Sequence, residues 1–326
     1  MRRFKNILFV ADSGLKGNDV FERAVSLAEN NQASLTAVDV IPRITAGIGM
    51  PDGGLISDDL QAAMVSAHEK QLESLVEPYR KRIDIKIRVL KGVHFLEIVR
   101  EVLRNGHDLV IKIPETWAWL GRFFGSDDMH LLRKCPCPVW LIKPQTPKSY
   151  RCILAAVDVG GAHPQAELES RDALNRKILE MASSLALSDF ASLHIVHAWE
   201  AIGESVMRGA FMHTPEDEIK AYVEQERQQH EASLDGLMRE VSNNLGKDAV
   251  EYLQLQTHLV RGWARKEVPA LAKRIEADLV VMGTVVRTGI PGVIMGNTAE
   301  TILNQIDCSV LAIKPEGFAT PITLEE

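Results

Sequence analysis

Residues 278–300 combine features that could bind an anion. An apolar run, residues 279–282, predicts a buried strand, and a glycine-containing loop over residues 283–296 follows it. The residues that follow the loop predict a helix that starts at Asn297. Because free backbone N–H groups converge where a loop enters a helix, this segment predicts a binding site for phosphate or another anion.

Four residues near this loop each allow two interpretations. Asp158 follows an apolar strand, where it could contact a ligand or only hydrogen-bond the next turn. Asn297 and Glu300 could contact a ligand or only form a capping pair at a helix start. Arg287 is the only cation in the loop, and it could face a phosphate group or the solvent. Residue types alone leave these alternatives open.

Cysteine and histidine spacings do not predict a metal site. Cys135 and Cys137 flank a proline, but no second ligand pair accompanies them. His194 and His197 lie three apart on a predicted strand, so they should point to opposite faces of the sheet. The chain has four cysteines without the spacing of a disulfide framework, which predicts a reducing cytoplasm.

Composition and motifs favour a binding protein over an enzyme or a nucleic-acid or membrane protein. A net charge of -7 argues against a nucleic-acid partner, and no apolar window approaches the length of a membrane span. Neither a Gly-x4-Gly-Lys-(Ser/Thr) phosphate loop nor a Gly-x-Ser-x-Gly turn occurs. No loop carries an evident nucleophile and base together, so weak ATPase activity is the most that we expect.

Alternating strands and helices must position these residues. Apolar strands are predicted over residues 4–12, 33–41, 83–90, 108–113 and 138–143, and helices over residues 18–31, 57–82, 92–105 and 126–134. Strands that are apolar throughout and alternate with helices predict an α/β fold with a parallel sheet covered on both faces. Ligands of such sheets bind at the carboxyl ends of the strands.

The second half of the chain repeats the first. Residues 150–158 match 4–12, residues 258–262 match 89–92, residues 278–281 match 108–111, and residues 308–315 match 137–144. Four matches in the same order predict a duplication. We therefore predict two tandem doubly wound domains, residues 1–146 and 147–316, and a tail over residues 317–326.

With these motifs the chain resembles the tandem universal stress proteins, in particular their E type. The family pattern is a strand that ends in Asp, followed later by Gly-x2-Gly-x9-Gly-(Ser/Thr) at a helix start. The resemblance covers both halves and implies a Rossmann-like, adenine nucleotide alpha hydrolase-like fold. Each domain would have a five-stranded parallel sheet of order 3-2-1-4-5. Antiparallel pairing of the last strands would make an intrachain pseudo-dimer, and a homodimer is also consistent with the family.

The resemblance implies a site for ATP or AMP in the second domain. Asp158 would contact the adenine, and the backbone of Val196 would add a second contact. The residues implied around the ribose and phosphates are Gly283, Gly296, Asn297 and Thr298, with Arg287 as the nearby cation. Two positions depart from the family pattern: Val286 replaces its second glycine, and Asn297 replaces a hydroxyl residue. Val286 would put a side chain where the backbone should approach phosphate.

The first domain departs further from the pattern. Lys112 stands at the position of Gly283 and Glu115 at the position of Val286. Two carboxylates, at positions 127 and 128, follow Gly125-Ser126, where they would repel phosphate. We therefore predict that this domain has lost its triphosphate site. Nearby aromatic residues could pack at the domain interface, close the former crevice, or line an apolar ligand site; they are Trp117, Trp119, Phe123 and Phe124.

Two functions of different classes remain. The first is a cytoplasmic stress-response protein with one residual adenine-nucleotide site in its second domain, acting by binding. The second is a nucleotide-independent scaffold that works through protein contacts or another small molecule. A charged helix over residues 215–245 is expected to be solvated, or else to bind a partner.

Overall fold

The computed structural model describes residues 4–11, 18–44, 55–115, 124–144, 147–160, 165–209, 214–284 and 295–324. The chain divides into two compact units. Unit 1 contains Met1–Lys148, Ser309–Ala312 and Ala319–Glu326, and unit 2 contains Ser149–Cys308 and Ile313–Phe318. No helix in the described ranges is long and apolar enough to cross a membrane.

Unit 1 alternates strands and helices as predicted. Its elements are β1 Asn6–Val10, α1 Asn18–Asn31, β2 Ser34–Ile41, α2 Leu55–Val76, a 3-10 turn Glu77–Tyr79, β3 Ile85–Lys91, α3 His94–Asn105, β4 Leu109–Lys112, α4 Ser126–Lys134 and β5 Val139–Leu141.

The sheet of unit 1 has the predicted order. Parallel pairing joins β1 to both β2 and β4, and also joins β2 to β3 and β4 to β5. The resulting order, β3-β2-β1-β4-β5, is the 3-2-1-4-5 order. Residues 310–312, which group with this unit, pair antiparallel with β5. Residues 7–10 of β1 are at most 2% exposed, because helices cover both faces of a central parallel strand.

Two helix boundaries in unit 1 differ from the predictions. The helix predicted over residues 57–82 ends at Val76, and the 3-10 turn that follows contains Pro78. Proline lacks a backbone N–H and disfavours helical geometry in the residue before it. The helix predicted from residue 92 begins at His94, because Gly92 has a φ of +147° that helical residues do not adopt.

Unit 2 contains the second set of elements. They are β6 Cys152–Ala156, α5 Gln165–Asp189, β7 Ser192–Trp199, α6 Glu204–Met207, α7 Glu216–Leu245, α8 Lys247–Tyr252, β8 Gln256–Arg261, α9 Ala264–Arg274, β9 Leu279–Gly283 and α10 Asn297–Leu303, and the chain continues into β10 Ser309–Ile313.

The strand order of unit 2 repeats that of unit 1. Parallel pairing joins β6 to β7, β7 to β8, and β6 to β9. Just after β9, the N–H of Thr284 donates to the carbonyl of Ile313 at 3.2 Å, so the end of the last strand lies beside β9. The charged helix α7 confirms the helix predicted over residues 215–245. Three acidic residues in its first turn favour this helix end electrostatically.

Candidate functional site

A crevice in unit 2 lies at the carboxyl ends of β6 and β9. It contains a cavity of about 310 Å³, at the lower end of the range of roughly 300–1,000 Å³ for small-molecule pockets. Its walls are mainly apolar, with side chains such as Leu174, Ile178 and Met282. Five of the seven predicted site residues line it: Asp158, Gly283, Gly296, Asn297 and Thr298.

The other two predicted residues, Val196 and Arg287, do not line the cavity within the described residues. Val196 is buried inside the sheet, and its carbonyl accepts the N–H of Val157 at 3.0 Å. The residue of β7 that lines the cavity is Ala198, two positions further along the strand. Arg287 lies outside the described residues, as does Val286. The backbone contact predicted for Val196 therefore stays a prediction.

Asp158 forms an ion pair that the sequence did not reveal. Its side chain is 61% exposed, and its carboxylate contacts the guanidinium of Arg171 on α5. The Arg171 side chain is only 5% exposed. Its guanidinium is therefore buried, whereas the Asp158 carboxylate faces the crevice. This contact orients the carboxylate.

Asn175, one turn after Arg171 on α5, holds the backbone of Asp158 from both sides. Its side-chain oxygen accepts the Asp158 N–H at 3.0 Å, and its amide nitrogen donates to the Asp158 carbonyl at 2.8 Å. Asn175 is 2% exposed and lines the cavity. This paired contact satisfies two backbone groups just after β6, where the sheet no longer does so. The position of Asp158 is therefore set by α5.

The two glycines of the crevice have different surroundings. A Cβ added to Gly283 would lie 2.7 Å from Leu174 Cδ2, so glycine lets α5 pack closely against the end of β9. A Cβ added to Gly296 would meet no atom of the described chain within 4 Å. Packing explains Gly283 without a ligand, whereas Gly296 leaves open space at the start of α10.

We expect Gly283→Ala to lower the stability of unit 2 by about 1–3 kcal/mol, the usual cost of overpacking. The added methyl group would push the Leu174 side chain into the cavity, so ligand binding should weaken as well. Urea unfolding measures the first effect. Gly296→Ala is the matched control, with only the smaller cost of replacing glycine by alanine at an N-cap. In a Leu174→Ala background, Gly283→Ala should cost less, because the side chain that the new methyl group would meet is gone. Equal costs for the two glycine variants would contradict this packing.

The start of α10 differs from the predicted capping pair. Gly296 occupies the N-cap position, without a side-chain cap, and Asn297 is the first helical residue. Asn297 and Thr298 are both exposed and line the cavity. The capping interpretation of Asn297 was therefore wrong, because a residue inside the helix cannot cap its own start.

A buried cation lies behind the polar wall of the crevice. Lys314 is 2% exposed, and its ammonium donates to Thr284 Oγ1 at 2.7 Å. Thr284 lines the cavity next to Gly283. A positive charge at this depth favours an anionic ligand in the crevice, since burial reduces screening by solvent. In the sequence, Lys314 is distinguished only as one position of the repeated segment 308–315.

An internal ion pair fills the equivalent position in unit 1. Lys112, the last residue of β4, is 1% exposed and contacts Asp128 Oδ1 at 2.7 Å. Asp128 is fully buried, and its other oxygen accepts the N–H groups of Glu115 and Gly125 at 2.8 and 3.1 Å. The predicted repulsion of phosphate therefore does not involve Asp128, because Lys112 neutralises it.

The remaining candidate groups within the described residues are buried or pair with one another. Trp117, Trp119 and Phe123 lie outside the described residues, and Phe124 is buried. The sulfurs of Cys135 and Cys137 lie 3.5 Å apart, and their contact and burial raise the pKa of Cys137 well above its usual range.

His194 contacts His258, whereas His197 contacts His230, each at 2.9 Å. The two β7 histidines therefore do not share a site, as predicted.

The fold and the crevice define a tandem doubly wound α/β protein with a small-molecule cavity at the carboxyl ends of its strands in unit 2. The model of the universal stress protein family matches residues 3–143 and 150–314. The chain belongs to this family of stress-response proteins, and it carries two of the family's domains.

Similar proteins match this chain over nearly its full length. Universal stress protein E of Escherichia coli K12 is 29% identical, covering 100% of this chain and 99% of that protein. Universal stress protein E homolog of Haemophilus influenzae is also 29% identical, covering 96% of this chain and 98% of that protein. A solved universal stress protein from Archaeoglobus fulgidus shares the fold, with a TM-score of 0.59, 16% identity and coverage of 95% and 98%.

Proposed function

We propose that unit 2 binds an adenine nucleotide, ATP or AMP, in the crevice between β6, β9 and the start of α10. The protein would act as a stress-response protein by binding this nucleotide, without turning it over. The proposal rests on the cavity itself. The oriented carboxylate of Asp158, apolar side chains and the start of α10 all line it. Asp158 supplies the carboxylate, and Gly296 supplies the open approach.

The two ends of the crevice suit the two ends of a nucleotide. The Asp158 carboxylate can accept a hydrogen bond from the amino group of adenine, while Leu174 and Ile178 offer apolar surface to the ring. At the other end, Thr298 and the backbone N–H groups of the first turn of α10 can donate to ribose or phosphate oxygens. Lys314 adds positive charge behind this wall. The apolar part should hold the base, and the helix start should hold the phosphates.

We expect Asp158→Ala to weaken ATP binding by roughly 10–100-fold, the effect of losing a hydrogen bond to a charged group. Calorimetric titration of the purified chain with ATP and AMP measures this affinity. Asp248→Ala, which removes an exposed carboxylate on α8, is the matched control and should bind as the unchanged protein does. Asp158→Ala also leaves Arg171 without its ion-pair partner. A melting curve therefore checks that this variant is folded, and Asn297→Ala tests the crevice without breaking the ion pair.

A second measurement asks whether the protein carries a nucleotide when it is purified. The chain is denatured, and the released small molecules are identified by mass spectrometry. Near-stoichiometric ATP or AMP would support the proposal. If no nucleotide is released and added ATP produces neither heat nor a thermal shift, the nucleotide proposal is wrong.

A further inference from the structure

Three potential metal ligands converge in unit 1, outside the crevice proposed for nucleotide. His94 is the first residue of α3, Glu115 lies three residues after β4, and Asp127 is in the first turn of α4. Each offers one ligand atom, and these atoms all lie within 4.8 Å of one another. The cluster sits near the carboxyl ends of β3 and β4, at the edge of the sheet where α/β proteins bind their ligands.

The separations are compatible with a bound cation after small side-chain movements. His94 Nδ1 lies 3.9 Å from Asp127 Oδ2. Bonds of about 2.0–2.2 Å to Zn²⁺ in tetrahedral geometry place ligand atoms about 3.5 Å apart. The side chains would therefore close around the ion by less than one bond length. Three protein ligands would leave a fourth position for water or another ligand.

The local charge also favours a divalent cation. Glu115 and Asp127 contribute two negative charges, while the neighbouring charge of Asp128 is neutralised by Lys112 at 2.7 Å. The Lys112 ammonium lies further from Glu115, at 3.9 Å. The cluster side chains are only 22–32% exposed. Partial burial strengthens the attraction of two carboxylates for a cation and still leaves a path for its entry.

Close packing places the Glu115 carboxylate in the cluster. A Cβ added to Gly125 would lie 2.7 Å from Glu115 Oε2, so the absence of a side chain at Gly125 makes room for that carboxylate. The backbone N–H of Glu115 is also held by Asp128, at 2.8 Å. Backbone and side chain of Glu115 are thus both positioned by the start of α4, which also carries Asp127.

We propose that His94, Glu115 and Asp127 bind one divalent transition-metal ion of the Zn²⁺ class. An imidazole nitrogen in the ligand set favours Zn²⁺ over Mg²⁺ and Ca²⁺, which prefer oxygen ligands alone. The site occupies the region where unit 1 has replaced the family's glycine pattern with Lys112 and Glu115. Unit 1 would then have exchanged a nucleotide crevice for a metal site.

Calorimetric titration of the chelator-treated full chain with ZnCl2 tests the proposal. We expect one saturable site in the unchanged protein, and a loss of affinity of at least about 100-fold in His94→Ala and in Asp127→Asn. His194→Ala removes one member of the His194–His258 pair in unit 2 and serves as the matched control, with unchanged binding. Zn²⁺ should also raise the melting temperature of the unchanged protein and of this control, but not that of the two cluster variants.

Other outcomes would overturn the site. Equal Zn²⁺ affinity in the unchanged protein and both cluster variants would place the ion elsewhere. Loss of binding in His194→Ala alone would assign the ion to the histidine pair. Binding of Mg²⁺ as tight as that of Zn²⁺ would exclude the imidazole ligand, and the absence of saturable Zn²⁺ binding would exclude the site altogether. Melting curves without metal establish that each variant is folded.

Discussion

Replacing Lys112 with methionine should destabilise unit 1 by about 3–5 kcal/mol. Removal of one partner from a buried ion pair leaves the other charge in the protein interior without compensation. Asp128 is fully buried and contacts the Lys112 ammonium at 2.7 Å, so Lys112→Met would strand its carboxylate. Urea unfolding of the purified chain, followed by circular dichroism, measures the loss.

A second substitution and a surface control separate this effect from lost packing. Asp128→Asn added to Lys112→Met removes the stranded charge while an oxygen can still accept the Glu115 N–H, so most of the stability should return. Arg227→Met breaks an exposed ion pair with Glu224 and should change stability little. If the single and double variants lose the same stability, the cost comes from packing and the ion pair is not the cause.

Acid should destabilise unit 2 through His197, by about 3 kcal/mol between pH 6.5 and pH 4. Burial lowers the pKa of His197 to about 4, whereas histidine in an unfolded chain has a pKa of about 6.5. Among the charged groups around His197, Asp158 raises this pKa, and Arg171 and a charged His230 lower it. Below pH 6.5 the unfolded state binds a proton that the folded state excludes, so stability falls with pH until the folded pKa is reached.

Histidine NMR and unfolding experiments at several pH values test this prediction. The ring of His197 should stay neutral until about pH 4, and the loss of stability with acid should be smaller in His197→Gln than in the unchanged protein. Above pH 7 both proteins should show flat profiles, because His197 is then neutral in the folded and unfolded states. A folded-state midpoint near pH 6.5 would contradict the prediction.

The architecture could be predicted because burial leaves a strong pattern in the chain. The runs that became β1 and β6 are almost entirely apolar, as expected for short strands covered on both faces. Repetition of the same run in both halves identified the duplication. Helix boundaries were predicted less well, as at Val76, since one proline outweighed the favourable residues around it.

The crevice could be predicted only in part. Asp158, Gly283 and Gly296 follow strands or precede a helix, positions that the order of elements brings to one edge of the sheet. Arg171 and Asn175 were missed, because nothing in the sequence of α5 shows which of its turns faces Asp158. The same lack of packing information left open whether Asn297 caps a helix or contacts a ligand, and the structure places it one residue inside α10.

The sequence by itself determined that the chain has two α/β repeats and that the glycine loop of the second is the better preserved. These properties depend on residue type and spacing along the chain. Only the tertiary structure decided that Lys112 neutralises Asp128 and that His94, Glu115 and Asp127 converge. Those contacts join separate elements, and packing of the helices on the sheet sets their distances. Charge pairing and metal coordination depend on such distances, which spacing along the chain does not contain.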